Sequence, residues 1–345
     1  MNNVRKIDLK GMTSAQMVEW IASIGEKPFR AKQIRQWIFQ HGISDFEQMT
    51  NLSKTLRDRL NSCAYVTNIN EASRQVSRDG TIKLLFKLWD GLTIESVWIP
   101  DGDRGTLCVS TQVGCKLGCK FCLTGDSGFT RNLDAGEIVD QLMQARKSLK
   151  VTNIVFMGMG EPLDNYENVL QTLRIFTEQD TALLGARKIT LSTAGVAPGI
   201  AQLANDFPKI KLAVSLNAAD DQTRSKIMPI NKKYPLAKLV AALKKWPLPA
   251  GRLITFEYVL LSGVNDSDED ARKLVRFAGK LPCKINLIPY NPCPHLSFKR
   301  PDKKRIARFS KILTDSGLMA FPRDSRGADI LAACGQLRGV VENAV

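Results

Sequence analysis

Long apolar runs are absent from this chain of 345 residues. The longest stretch without a charge, residues 189–205, is interrupted by Ser192, Thr193, Gly195 and Pro198, so we expect no transmembrane helix and no membrane partner. The opening sequence MNNVRKIDLK lacks the apolar core of a secretory signal, which predicts a cytoplasmic protein. A composition of 44% hydrophobic and 24% charged residues excludes a disordered chain and a fibre.

Histidine is scarce, and acidic residues are outnumbered by basic ones. The two histidines, His41 and His295, lie far apart in the sequence, which leaves few ligands for a mixed Cys/His zinc site. The 49 Lys and Arg residues against 34 Asp and Glu residues give a formal net charge of +15. This excess favours an anionic partner, nucleic acid before a membrane surface, while a merely basic enzyme is the alternative.

Hydrophobic spacing changes along the first hundred residues. Residues 13–61 carry apolar side chains at helical spacing, which predicts a small basic helical domain. Its cations are Arg30, Lys32, Arg35, Lys54, Arg57 and Arg59, and a solvated outer face is the alternative reading of them. Two Asp-Gly pairs, at 79–80 and 90–91, then predict β-hairpins, with TIESVWIP as the third strand.

Glu95 stands out within that third strand. Regular alternation places Thr93, Glu95, Val97 and Ile99 on one face. A carboxylate among apolar neighbours is a candidate functional group, and a glutamate on an edge strand that faces water is the alternative.

From residue 106 onward, strands alternate with helices. Strand-like runs begin at residues 106, 152, 188, 210, 253 and 284, and helical patterns fill the gaps. Such βα units predict an α/β fold with a parallel sheet, in which the loops at the carboxyl ends of the strands carry the functional residues. We expect domains at 1–62 (helical), 63–100 (β-hairpin or meander linker carrying Glu95) and 101–345 (the α/β part).

The strongest local signal is Cys115-x3-Cys119-x2-Cys122, in the loop VGCKLGCKFCLTG. In a chain with reduced thiols, clustered cysteines indicate metal binding or catalysis before disulfides. Three cysteines this close can bind three irons of a [4Fe–4S] cluster and leave the fourth iron without a local protein ligand. A zinc site would need a fourth ligand, usually from a second CxxC pair, which the sequence lacks. Buried free thiols are the third alternative.

A second signal, Gly158-Met159-Gly160-Glu161-Pro162, follows the next strand-like run. Glycines at a strand end allow the backbone to approach a small ligand closely, and Glu161 can pair with an ammonium group. Alone the motif could be a turn. Its position one βα unit after the cysteines favours a ligand site.

The two motifs together resemble the radical S-adenosylmethionine (SAM) superfamily, and ordered blocks are similar to its RlmN/Cfr family of RNA adenine methyltransferases. The similarity runs from about Ile94 to Gly339 and is weaker in the helical N-terminus. The blocks are TLCVSTQVGCKLGCKFC, GFTRNL, FMGMGEPLDN, LSTAGV, MPINKKYP, GVND, INLIPYNP and RGADILAACGQL.

The resemblance implies a partial (β/α)6 radical SAM barrel with a helical N-terminal domain and a β-hairpin extension. It implies a [4Fe–4S] cluster on Cys115, Cys119 and Cys122, and two SAM molecules per turnover. One SAM methylates a cysteine, and the other is cleaved to a radical that takes a hydrogen from the methylthio group. The methylene radical then adds to adenine C2, which is too poor a nucleophile for direct displacement, and a second cysteine releases the product through a transient disulfide.

The resemblance also assigns residues. Cys334 matches the cysteine that carries the methyl group, Cys108 matches the second cysteine, and Glu95 matches the proton acceptor; a small buried thiol is the alternative for either cysteine taken alone. The positions matched to SAM are Gly160, Glu161, Ser192, Ser215, Leu216, Asn217 and Asn291. Asn217 replaces the family's usual histidine; it keeps hydrogen bonding but cannot titrate. No role matches Cys63, Cys283 or Cys293.

The implied partners are 23S rRNA, a tRNA with an anticodon-loop adenine, and a flavodoxin-like electron donor, with a monomeric enzyme whose residues 1–62 contact RNA. The cationic segment 299–311 is then expected to contact phosphate, with a solvated helix face as the alternative. Two other functions stay open. One is Cfr-like methylation of adenine C8, which confers antibiotic resistance. The other is a non-catalytic, metal-stabilised RNA-binding protein, which would not need Glu95, Cys108 and Cys334 together.

Overall fold

The computed structural model of the chain describes residues 6–181 and 183–339. Its strands are β1 (Ile7–Asp8), β2 (Ala64–Tyr65), β3 (Asn70–Val76), β4 (Ile82–Lys87), β5 (Thr93–Asp101), β6 (Arg104–Cys108), β7 (Gln112–Gly114), β8 (Phe129–Asn132), β9 (Asn153–Phe156), β10 (Ile189–Thr193), β11 (Lys211–Ser215), β12 (Ile254–Leu260), β13 (Cys283–Pro289) and β14 (Ala320–Pro322). Its helices are α1 (Ser14–Ser23), α2 (Phe29–Phe39), α3 (Lys54–Cys63), α4 (Leu123–Asp126), α5 (Ala135–Arg146), α6 (Tyr166–Thr177), α7 (Ala197–Asp206), α8 (Asp221–Ile227), α9 (Ile230–Lys233), α10 (Leu236–Leu243), α11 (Asp268–Ala278) and α12 (Lys303–Asp315). Within the described ranges, no helix is both long and apolar enough to cross a membrane.

Helices α1 to α3 form the N-terminal part, in the stretch where the spacing of apolar residues predicts helices. Met17, Ile34 and Leu56 belong to that spacing, and each is at most 1% exposed. Thr13 begins α1 as part of a capping box, which satisfies backbone amides that have no partner within the helix. The parallel pairing of β1 with β2 brings the two ends of this part together.

One ten-stranded sheet runs through the rest of the molecule, in the order β14-β13-β12-β11-β10-β9-β6-β5-β4-β3. Strand β6 joins its two halves, because it pairs antiparallel with β5 and parallel with β9. The β3–β6 half is the meander that the Asp-Gly turns predict, and Gly80 and Gly91 in those turns have φ of 82° and 83°. The other half is parallel and carries helices in its connections, as the βα alternation predicts.

Glu95 lies inside this sheet. Its strand, β5, is bonded to β4 on one side and β6 on the other, and the residue is 3% exposed. The alternative of an edge-strand glutamate that faces water is therefore wrong.

The six predicted parallel strands correspond to β6 and β9 to β13, and α5 begins at a capping box formed by Asp134 and Glu137. Two features were not expected from the sequence. Strand β14 adds a further parallel strand beyond β13, and β7 pairs with β8 in a separate two-stranded sheet. These strands are too short to show a hydrophobic period.

Arg35 attaches the helical part to the α/β part, which corrects its expected place among the surface cations. The residue is 2% exposed. Its guanidinium donates to Asp180 at 2.6 Å, to Glu178 at 2.5 Å and to the Met12 carbonyl at 2.7 Å. Since both acids follow α6, this one side chain joins two parts that are distant in sequence.

We expect Arg35→Ala to lower the free energy of unfolding by about 2–4 kcal/mol, because it leaves two partly buried carboxylates without their cation. Equilibrium urea denaturation measures this. Lys32→Ala is the matched control, since Lys32 is exposed on the same helix, and it should change stability by less than about 0.5 kcal/mol. Equal effects of the two substitutions would contradict the assignment.

Candidate active site

A cavity lies at the carboxyl ends of the parallel strands, and most of the residues matched to cluster or SAM line it. They are Cys115, Cys119, Cys122, Gly160, Glu161, Ser192, Ser215 and Asn217, and Cys334, matched to the methyl-carrying cysteine, lines the cavity with them. The ends of β7, β9, β10 and β11 and the segment after β14 supply them. Residues that are widely separated in sequence thus share one space.

Other expected site residues lie outside this lining. Leu216 is fully buried in the core, and Asn291 is 3% exposed. Cys108 and Glu95, at 7% and 3% exposed, lie deeper in the sheet. Any contact of Leu216 with a cavity ligand would have to use its backbone.

The hairpin of β7 and β8 shapes the loop with the three cysteines. The Cys115 amide donates to the Gly128 carbonyl at 2.7 Å. Gly114 has a φ of 76°, and a Cβ at this position would lie 2.0 Å from that carbonyl oxygen, so only glycine fits. Cys122 ends the loop at the N-terminus of α4. This unpredicted hairpin is therefore the local reason for the loop's conformation.

The three thiols share a poorly solvated environment. Burial raises the pKa of Cys115 to about 12, and burial also raises the pKa of Cys119 and Cys122. The other two thiols add to the shift at Cys119, while the cation of Arg224 opposes it. The three side chains are thus close enough to influence one another's ionisation.

This arrangement fits a [4Fe–4S] cluster. Among residues 6–181 and 183–339, no three His, Cys, Asp or Glu side chains converge closely enough to hold one metal ion together. A cubane cluster does not require such convergence, because each thiolate binds a different iron. Since iron binds thiolates, loading these high-pKa thiols must release protons.

The Gly-Met-Gly-Glu loop packs tightly against the first residue of β7, Gln112. Gly160 has a φ of 97°, and a Cβ there would lie 2.5 Å from the Gln112 side chain. Glu161 accepts hydrogen bonds from the Ala194 amide at 2.7 Å and the Leu163 amide at 3.1 Å. Burial raises the pKa of Glu161 to about 7, although these amides oppose the shift. The acid is therefore held in place with a charge that changes near neutral pH.

The backbone conformation and hydrogen bonds of Asn217 suit an asparagine at this position. Its φ is 57°, a left-handed conformation that asparagine tolerates. Its Oδ1 accepts from the Val259 amide at 2.8 Å, and its carbonyl accepts from Asn265 at 2.6 Å. The side chain thus joins β11 to the end of β12.

Sequence reasoning missed Arg224, which is fully buried beneath the cavity. Its guanidinium donates to the carbonyls of Leu216 at 2.9 Å and Ala194 at 2.6 Å, and to Asn231 Oδ1 at 2.9 Å. Burial lowers its pKa to about 10, which still leaves it charged at neutral pH. The sequence offered one indication of this site: Asn231, which binds Arg224, lies in the matched block MPINKKYP.

Glu257 was also missed. It lies on β12, lines the cavity and accepts a hydrogen bond from Asn286 at 2.9 Å. Burial raises its pKa, and its charge in turn raises that of Cys334. An acid within the strand-like run LITFEYVL was the signal for it.

Cys334 lies in a turn that is hydrogen-bonded to α4, the short helix that follows Cys122. The Leu123 amide donates to the Gly335 carbonyl at 2.8 Å, and Thr124 Oγ1 donates to the Leu337 carbonyl at 2.6 Å. Cys334 is exposed on the cavity side, yet the protein atoms around its sulfur raise the pKa of the thiol to about 11. The resting group is therefore a neutral thiol at neutral pH.

The fold brings Cys108 and Cys334 together. Burial raises the pKa of Cys108, and the neighbouring Cys334 adds to that shift. Glu95 lies near the same segment, because its Oε2 accepts from the amides of Arg338 at 2.7 Å and Gly339 at 3.0 Å. Glu95, Cys108 and Cys334, to which the resemblance gives roles in one reaction, therefore lie at or near the segment that carries Cys334.

Residues 7–66 match the Ribosomal RNA large subunit methyltransferase N-terminal domain, and residues 109–275 match the Radical SAM superfamily. The crystal structure of a radical SAM methyltransferase from Sphaerobacter thermophilus is 46% identical, and the match covers 97% of this chain and 100% of that one with a TM-score of 0.91. The fold and the cysteine loop thus define a radical SAM enzyme, and the expected fold class is confirmed.

The Dual-specificity RNA methyltransferase RlmN of Geotalea uraniireducens is 48% identical over 342 residues, which are 99% of each chain. That of Geobacter sulfurreducens is 47% identical over 336 residues, 97% of this chain and 93% of that protein. The chain belongs to the RlmN family of radical SAM methyltransferases. The resemblance drawn from its motifs is confirmed.

We expect Cys119→Ala to remove the visible iron–sulfur absorbance and the reductive cleavage of SAM, because Cys119 is one of three thiols around the proposed cluster. Iron analysis after anaerobic reconstitution, with assay of 5′-deoxyadenosine, measures both. Cys63→Ala is the control, since Cys63 ends α3 outside the cavity lining. This variant should bind iron and cleave SAM normally. Full iron content together with normal SAM cleavage in Cys119→Ala would refute the assignment.

Proposed function

We propose that this enzyme methylates adenine bases of RNA, with one of its own cysteines carrying the methyl group. Its RlmN relatives are named as RNA methyltransferases, and their matches span nearly the whole chain. The observation that carries the proposal is the position of Cys334, which shares the cavity with the three cluster cysteines and lies near enough to Cys108 to influence its ionisation. A non-catalytic RNA-binding protein has no need for this arrangement.

The proposed target is C2 of an adenine in the peptidyl transferase centre of 23S rRNA, and of an anticodon-loop adenine in tRNA. The dual-specificity name of the relatives supports two classes of RNA. Cfr-like methylation of C8 is not favoured, since the relatives that match over the full length are RlmN enzymes. A flavodoxin-like electron donor and a monomeric enzyme belong to the same proposal.

When bound, the [4Fe–4S] cluster and two SAM molecules per turnover supply the methyl group and the radical. Cys334 carries the methyl group as a thioether. Glu95 accepts the proton that leaves C2. Cys108 gives up its thiol proton and attacks the Cys334 sulfur, so that an S–S bond forms while the bond from that sulfur to the RNA-bound carbon breaks. The carbon leaves with the bonding electron pair and takes up a proton, which makes it the methyl group of the product.

Cofactor contacts follow from the cavity. Cys115, Cys119 and Cys122 would hold the cluster, and Glu161 would hold the ammonium group of SAM. The other proposed SAM contacts are Gly160, Ser192, Ser215, Leu216, Asn217 and Asn291. Since the Asn217 Oδ1 already accepts from the Val259 amide and its carbonyl already accepts from Asn265, a SAM contact would use the lone pairs or the backbone amide that these bonds leave.

Residues 1–62 are proposed as an RNA-contacting domain, 63–100 as the linker that carries Glu95, and 101–345 as the barrel. Exposed cations such as Lys32 and Lys54 support the first part. Within the segment 299–311, Arg305 and Arg308 are paired with Asp268 at the start of α11. Lys303 and Lys304, which are exposed in the first turn of α12, are therefore the better candidates for phosphate, since Lys311 is paired with Asp315.

The function is tested by mass spectrometry of nucleosides from 23S rRNA and tRNA after reaction with the reconstituted enzyme. A methyl group on adenine C2 in both RNAs is the expected result. A methyl group on C8 would establish the Cfr-like reaction instead, and unmodified adenosine would refute the proposed function.

We expect Cys108→Ala to trap RNA covalently on Cys334, because the steps before release do not need Cys108 but release does. Denaturing electrophoresis with labelled RNA measures the adduct. The Cys108→Ala/Cys334→Ala double variant should form none. An adduct that persists in the double variant, or normal turnover without Cys108, would contradict these roles.

SAM affinity should rise by about tenfold between about pH 6 and pH 8, because Glu161 has a pKa of about 7 and only its ionised form, present above that pH, pairs with an ammonium group. Calorimetric titration of the cluster-loaded protein with SAM measures the profile. Glu161→Gln should bind SAM weakly, with an affinity that does not change with pH. Glu167→Gln is the control, because Glu167 is exposed, and its SAM affinity should still rise with pH. A pH-dependent profile retained in Glu161→Gln would assign the titration to another group.

A further inference from the structure

Two buried charges face each other across the meander. Lys83 on β4 is opposite Val97 on β5, so Glu95 is its diagonal neighbour on the same face of the sheet. Lys83 Nζ lies 3.1 Å from Glu95 Oε1, and the two side chains are 7% and 4% exposed. A buried ion pair adds little net stability, because the desolvation of both charges offsets their attraction. The pair therefore suggests a task other than stability.

The two oxygens of Glu95 have different partners. Oε2 accepts the amides of Arg338 and Gly339, which occupy both of its lone pairs. Oε1 contacts Lys83, and no second donor reaches it from the described part of the chain. Oε1 is thus the oxygen with an acceptor position left for another group.

Lys83 also reaches the segment that carries Cys334. Its Nζ lies 3.5 Å from the carbonyl oxygen of Leu331, a weak contact that places the cation between this segment and the carboxylate. The backbone of Glu95 is fixed as well, because its carbonyl accepts from Ser110 Oγ at 2.6 Å. Lys83 thus orients a side chain whose backbone is already held.

We propose that Lys83 is a positioning residue for the proton transfer from adenine: it holds Glu95 as an oriented carboxylate, and Oε1 receives the proton. In this step the C2–H bond breaks, the proton moves to Oε1, and the bonding electron pair stays in the adenine ring. Without the cation, Oε1 would lose the contact that holds it, while the amides of Arg338 and Gly339 would still hold Oε2. The inference rests on the proposed function.

The test compares two products of the reconstituted enzyme with RNA and SAM: methylated adenosine and 5′-deoxyadenosine. Lys83→Met keeps the length of the side chain and removes its charge. We expect methylated adenosine to fall by about tenfold or more, while 5′-deoxyadenosine changes by less than about twofold, since radical formation does not use Glu95. Lys83→Arg should restore most of the methylation.

Lys87→Met is the matched control, because Lys87 is exposed at the end of the same strand, and both products should stay unchanged. An equal fall of both products in Lys83→Met would show a merely structural role and overturn the inference. Unchanged methylation would overturn it too. If Lys83→Met does not load the cluster, Lys83→Gln, which keeps a donor without the charge, undergoes the same measurement.

Parallel reactions separate this inference from the proposed function. Absence of methylated RNA with the unaltered enzyme refutes the function itself. If Glu95→Gln methylates RNA at the normal rate, Glu95 is not the base. The inference about Lys83 then fails as well. If Glu95→Gln methylates RNA slowly while Lys83→Met methylates it at the normal rate, the proposed function stands, and only the role of Lys83 is rejected.

Discussion

The segment 327–339 is held by hydrogen bonds from two sides, and the candidate site depends on this. On the meander side, the Gly327 amide donates to Asp79 at 2.9 Å, and Ser77 Oγ donates to Asp329 at 2.5 Å. On the other side, the Gly335 carbonyl accepts the Leu123 amide from α4. Burial opposes the charge of Asp79, but hydrogen bonds led by that of Thr81 lower its pKa to about 2, so this anchor stays ionised at neutral pH. Cys334 lies between the two sets of bonds.

A second set of buried polar groups fixes the strand ends beneath the cavity. Glu161 after β9 accepts the Ala194 amide after β10, and Arg224 donates to the Ala194 carbonyl and to that of Leu216 after β11. Unpaired carbonyls in such a place would be costly, so the arginine satisfies them as well as joining the loops. The positions proposed to contact SAM are therefore set by bonds between neighbouring loops.

The parts of the fold that sequence could predict are those with local patterns. The helices, the six parallel strands and the Asp-Gly turns have periods or turn residues of their own. Strands β7, β8 and β14 are too short for such a pattern. The tasks of Arg35, Arg224 and Lys83 depend on acids or carbonyls that only the tertiary fold brings near, so these cations looked like any surface charge. The matched roles of Cys108 and Cys334 came from resemblance, since spacing cannot show that distant residues meet.

The register of the meander connects the residues proposed to act after radical addition. Val97 is opposite Lys83 on one side and opposite Cys108 on the other, so Glu95, two residues along, shares their face of the sheet. A slip of one residue in β5 would turn Glu95 to the opposite face, away from both. Buried residues on both faces of β5 and the Asp-Gly turn before it oppose such a slip. The same pairing that builds the sheet therefore places the carboxylate on one face with its cation and with the thiol proposed to release the product.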